Sequence, residues 1–195
     1  MNSVVEFSKI KQREDINERK ARRWPVWLVL GFCSGIIFLS GCSSVSRDAA
    51  NLVGQRAPDA RLMLLSGEDL ALKDVRGRNR AILFWTTWCS HSRGVISGFE
   101  DLARVYAPRG DTDFFAVSLD KNEDLEPLKR RIEAQDLTTV THVFSGNDVQ
   151  DEAFLALKGD HVPYSVFIDD QSIVRFVGLG LGDLEDFLDG RYGQN

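Results

Sequence analysis

The feature that most constrains this chain is a continuous apolar run that stops abruptly and hands over to a helical period. Arg80 to Thr87 reads Arg-Ala-Ile-Leu-Phe-Trp-Thr-Thr, with no polar-apolar alternation. At eight residues it has the length of a strand buried on both faces rather than of a buried helix. From Cys89 onward, Val95, Phe99, Leu102 and Tyr106 recur at spacings of four, three and four, which is one face of a helix. Pro108 and Gly110 stop it. A doubly buried strand running straight into a helix requires cover on both sides of a sheet, and so a layered α/β arrangement.

The remaining pattern agrees. Ala60 to Leu65, a turn at Ser66-Gly67, and Asp69 to Lys73 predict a short hairpin. Asp113 to Leu119 predicts a second buried strand, Leu125, Leu128 and Ile132 a helix, and Thr139 to Phe144 a β-branched strand. Val149 to Leu157 predicts a helix. Val162 to Ile168 and Ser172 to Val177 flank a turn at Asp169-Asp170-Gln171, and Leu181, Leu184 and Leu188 mark a terminal helix. The order is a hairpin, βαβα, β, α, then ββα, with no internal repeat and no low-complexity tract.

At 195 residues the chain is long enough for one domain with an appendage. Its composition excludes disorder, a collagen and a polytopic membrane protein. The net charge of −5 is unevenly spread: residues 1–41 carry seven Lys/Arg against four Asp/Glu, and the remainder is acidic. An acidic body argues against nucleic-acid binding. The three cysteines do not follow paired zinc spacings, and no metal or cofactor is expected.

The appendage reads as an address. A polar segment ends in Arg19, Lys20, Arg22 and Arg23, an apolar stretch runs from Trp24 to Leu39, and Leu39-Ser40-Gly41-Cys42 follows. This is the basic, apolar, small-residue order of a secretory signal, and the stretch is short for a membrane span. Leu-Ser-Gly-Cys resembles the bacterial lipobox, which implies a signal peptide over 1–41, a lipidated Cys42 and a linker over 42–55. By resemblance to enterobacterial lipoproteins, Ser43 favours the outer membrane over the inner. The competing reading is an uncleaved anchor with an incidental Cys42. On the lipobox reading Cys33 is discarded with the signal, and Cys89 is the one free thiol of an extracytoplasmic, periplasmic body.

The chemistry concentrates at Cys89. It opens a helix, where unpaired N–H groups and the helix dipole favour an anion, so its thiol is expected to ionise readily. His91 is placed to assist. Phe84-Trp-Thr-Thr-Trp-Cys89 resembles the Phe-Trp-Ala-Thr-Trp-Cys signature of thioredoxin-fold proteins, specifically the extracytoplasmic TlpA/ResA-like thiol-disulfide oxidoreductases. The resemblance runs from about Gly54 to Gly190 and includes Ala57-Pro58, Leu72 to Val75, Phe115 to Asp120 and Val162 to Asp169. It implies a three-layer α/β/α sandwich with a mixed central sheet and an N-terminal hairpin, a domain over 56–190 and a tail over 191–195. It also implies a cis-proline at Pro163, Val162 backbone beside Cys89 for an extended substrate, and Trp88 as a cover over the thiol.

The chain departs from that family where its second cysteine stands. Ser92 occupies the position, Val95 replaces a glutamate and Ser97 a proline. A serine cannot close a disulfide, so the intramolecular dithiol cycle is impossible here and a mixed disulfide would await an outside thiol. Cys89 is expected as nucleophile, with His91 and Ser92 as its stabilisers. The partners would be cysteine-bearing envelope proteins or a small-molecule thiol, and the membrane through the lipid. The other readings are a non-catalytic interaction module and a one-cysteine peroxidase, though Ile82 stands where a peroxidase motif has proline. His142 reads as a packed or surface histidine. His161, two residues before Pro163, reads as a loop residue near the site rim.

Overall fold

The computed structural model describes residues 45–73 and 77–193. The signal segment, Cys42 and residues 74–76 lie outside the described residues. The elements are α1 (Arg47–Ala50), β1 (Arg61–Met63), β2 (Asp69–Ala71), β3 (Asn79–Trp85), α2 (Ser90–Tyr106), β4 (Thr112–Ser118) and α3 (Leu125–Ala134). They continue with β5 (Thr141–Phe144), α4 (Glu152–Ala156), β6 (Tyr164–Ile168), β7 (Val174–Leu179) and α5 (Gly182–Tyr192). From β1 onward the order of strands and helices is the one the apolar periods predict; α1 stands where a linker was expected.

A five-stranded sheet in the order β5-β4-β3-β6-β7 forms the centre, and β1 and β2 pair separately as an antiparallel hairpin. β3 runs parallel to β4 and antiparallel to β6, so the sheet is mixed, as expected. Every residue of β3 is buried. Successive side chains of a strand point to opposite faces. Ile82 and Phe84 therefore enter one core with Phe115, Val117, Tyr164 and Val166. Ala81, Leu83 and Trp85 enter the other with Ile96, Phe99 and Leu102 of α2. Side chains of α2, α3 and α5 meet the sheet on the second face; α1, α4 and the hairpin contribute to the first. The three-layer thioredoxin-like class is what forms.

Three boundaries differ from the sequence reading. The segment 42–55 is not a free linker over its described part: Ala49 is fully buried, and Gly54 N–H donates to Val174 O at 2.8 Å. The helix expected over 149–157 is confined to Glu152–Ala156, because Asp151 is extended (ψ 133°) and its carboxylate accepts the Phe154 N–H, starting the helix there. Of the tail expected over 191–195, Arg191 and Tyr192 belong to the last turn of α5. Tyr192 packs on Tyr106 with ring centres 5.5 Å apart, and its hydroxyl lies 2.8 Å from Thr112 Oγ1. An apolar period cannot register an anchor made by one aromatic ring.

The middle of α2 approaches the start of α5 closely. A Cβ added at Gly98 would stand 2.5 Å from Leu181 Cδ2, so the absence of a side chain at that position allows the contact.

Candidate active site

The end of β3 and the start of α2 place Cys89 at the carboxyl edge of the sheet. Cys89 is the N-cap of α2, with extended backbone angles (φ −80°, ψ 119°) that turn the chain from strand to helix. Its N–H donates to the hydroxyl of fully buried Thr86 at 3.2 Å, and its carbonyl accepts the Arg93 N–H at 3.1 Å. The thiol is half-buried and is the one cysteine among the described residues. Its pKa is lowered. The N–H of Ser92 does most of this, burial pushes the other way, and the Ser92 hydroxyl, the His91 N–H and the Arg93 guanidinium add to the lowering. The helix start thus favours the thiolate through its main-chain N–H groups.

Ser92 is completely buried. Among the described residues its hydroxyl meets no acceptor in regular hydrogen-bond geometry, although it lies near enough to the sulfur to help hold a thiolate. Both observations fit a hydroxyl facing a neutral thiol, a weak acceptor that becomes a strong one on ionising. His91 helps through its main chain, and its imidazole is exposed. Trp88 is 59% exposed, so it offers an apolar surface beside the thiol more than it covers it.

Across from the helix start, the Val162-Pro163 peptide bond is cis, as the resemblance implies. The β3–β6 ladder begins at Phe84 and Tyr164, which leaves the Val162 backbone outside it. His91, His161, Val162, Pro163, Leu179 and Gly180 line a groove of about 330 Å³. His161 is paired with Asp160, Nδ1 to Oδ1 at 2.9 Å. His142 stands apart from this site: it lies on β5 and bonds the Leu137 carbonyl at 2.8 Å, and burial lowers its pKa. It is a packed histidine. Among the described residues no three His, Cys, Asp or Glu side chains cluster as a metal site.

The sequence reading passed over two residues that build the turn. Asp120, fully buried two residues past the β4 ladder, accepts the Thr87 N–H at 3.0 Å, the Thr87 hydroxyl at 2.9 Å and the Ser118 hydroxyl at 2.6 Å. Arg93 Nη1 donates to the Thr87 carbonyl at 3.3 Å. A signal was present, an acid after a buried strand and paired threonines just ahead of Trp88-Cys89. Only the parallel register of β3 and β4 brings them together.

Relatives agree with this architecture. YneN of Bacillus subtilis strain 168, a thioredoxin-like protein, is 41% identical over 56 residues, which are 29% of this chain and 33% of YneN's own length. The thiol-disulfide oxidoreductase ResA of Geobacillus kaustophilus is 28% identical over 169 residues, 87% of this chain and 92% of ResA. The solved thiol-disulfide oxidoreductase from Bacteroides fragilis superposes with a TM-score of 0.62 at 19% identity, covering 70% of this chain and 99% of that one, a likeness of fold. The AhpC/TSA family profile matches residues 53–177, a span that holds β1 to β6 together with Cys89, Ser92 and Pro163, and the chain belongs to the AhpC/TSA family, with a thioredoxin-like fold.

Proposed function

We propose that this protein is a lipid-anchored, extracytoplasmic monothiol that exchanges disulfides with, or covalently holds, cysteine-bearing proteins of the cell envelope. The observation that carries the reading is the lowered pKa of Cys89 at a helix start beside a cis-proline groove, with buried Ser92 where a resolving thiol would stand. In the step proposed, the Cys89 thiolate attacks a client disulfide, one Cys89–client S–S bond forms, the client S–S bond breaks, and the other client sulfur leaves as a thiolate. Ser92 cannot then displace the client, so a second thiol, from a protein or a small molecule, must reduce the mixed disulfide. The names of the relatives, ResA and YneN among them, support the redox class.

Placement in the periplasm, on the outer membrane in preference to the inner, rests on the signal-like segment, Cys42 and Ser43. Among the described residues no helix is long and apolar enough to cross a membrane.

The test is disulfide exchange with an aromatic disulfide reagent whose released thiolate absorbs visible light. One equivalent per chain and a persistent adduct on Cys89 are expected. In Ser92→Cys, the introduced thiol should release the second half and close a disulfide. No release in either protein would overturn the redox reading in favour of a non-catalytic interaction module, which the exposed Trp88 would suit. Labelling with radioactive fatty acid should be lost in Cys42→Ala, and unchanged labelling would remove the lipid anchor.

A further inference from the structure

We infer that Asp120 is a positioning residue for the Cys89 thiol, acting through Thr87 and Arg93. The inference rests on the reading of Cys89 as the reactive group and adds a residue remote from it in sequence. Asp120 takes both polar groups of Thr87 that can donate, its N–H and its hydroxyl, and is itself braced by the Ser118 hydroxyl. Thr87 is thereby held in rotation and in backbone direction. Its carbonyl then faces α2 and receives Arg93, which sits one helical turn after Cys89. On the other side of Thr87, the Thr86 hydroxyl receives the Cys89 N–H. One buried carboxylate therefore locks the two-residue turn that aims the helix start and keeps a guanidinium beside the sulfur.

The geometry is costly to build for packing alone. A carboxylate without solvent contact is stable only if fully bonded, and an apolar residue could fill the same volume. Asp120 receives bonds from Thr87 and Ser118 at the edge where Cys89 emerges, which is where a rigid frame improves chemistry. The groups that titrate or carry charge near Cys89 are His91 and Arg93 from α2, and His161 with Asp160 from the loop before β6.

The experiment measures the rate at which iodoacetamide alkylates Cys89 in the full chain, read on the Cys89 peptide by mass spectrometry between pH 5 and 9. Asp120→Asn removes a negative charge, which by Coulomb's law alone would favour the thiolate and speed the reaction. Loss of positioning predicts the opposite. At pH below the thiol pKa, a rise of one unit lowers the thiolate fraction about tenfold, and the gain in intrinsic nucleophilicity returns about threefold, for a net slowing of about threefold at the acidic end of the profile. Thr87→Val and Arg93→Gln should slow it in the same direction, and they carry the test if Asp120→Asn does not fold. Asp169→Asn is the control, since Asp169 is a buried carboxylate at the opposite end of β6 and its loss should lower stability without changing the rate. If wild-type Cys89 is activated and the Asp120, Thr87 and Arg93 variants match it or exceed it, the positioning role is overturned and the redox reading stands. If wild-type Cys89 reacts as slowly as a free thiol, both fall together.

Discussion

Ser92 shows how one residue sets stability against chemistry. Its hydroxyl is fully buried without a regular acceptor, and a buried hydroxyl left in that state costs about 1–3 kcal/mol. Ser92→Ala should therefore leave the melting temperature unchanged or raise it slightly, by up to about 1 kcal/mol of stability. The same change removes one donor that lowers the Cys89 pKa, so the thiolate absorbance should appear at higher pH than in the wild type. Thermal melts and an ultraviolet titration on one pair of proteins check both halves. A fall in stability together with an unmoved titration would show that the hydroxyl does not face the sulfur.

At the scale of the element, α2 is fixed at two points, by Cys89 at its start and by Glu100 past its middle. Burial pushes the Glu100 carboxyl up, but the Thr139 hydroxyl and the N–H groups of Thr139, Val140 and Thr138 outweigh it, so its pKa is lowered. Those bonds, 2.9–3.3 Å long, tie the helix to the loop that enters β5. A depressed carboxyl contributes stability that is present above its unfolded pKa, about 4.3, and is lost as pH falls through the folded value. Glu100→Gln should thus cost about 1–2 kcal/mol at neutral pH. Its stability should also decline less than the wild type's below about pH 4.5, as measured by denaturant unfolding across pH 2.5–7. Parallel curves in the two proteins would assign the acid sensitivity elsewhere.

At the scale of the whole molecule, the last helix closes the fold on itself. The Tyr106 hydroxyl bonds Asp189, which raises the Tyr106 pKa to about 12, and Tyr192 reaches Thr112 and Asn79. Arg191 lies over the Phe167 ring, 5.3 Å from its centre. Ending the chain at Gly190 should therefore cost about 2 kcal/mol, from one aromatic pair and the lost hydrogen bonds, and lower the melting temperature by several degrees. An unchanged melt would make the last turn of α5 dispensable. None of these anchors was readable beforehand, because each joins residues far apart in the chain through a single side chain. The strands and helices were legible, since burial on a sheet or a helix leaves a period in the sequence, and so was Cys89 at the end of one and the start of the other. The cis bond at Pro163 followed only through the family resemblance. The sequence by itself determined the layered α/β order, a thiol at a helix start and a serine in place of its partner. Only the tertiary structure decided what surrounds that thiol: the His91–Pro163 groove, the exposed face of Trp88, and the Asp120–Thr87–Arg93 brace. The physical reason is that hydrogen bonds between β3, β4 and α2 depend on strand register and on the rotation of individual side chains, and no local pattern of residues encodes either one.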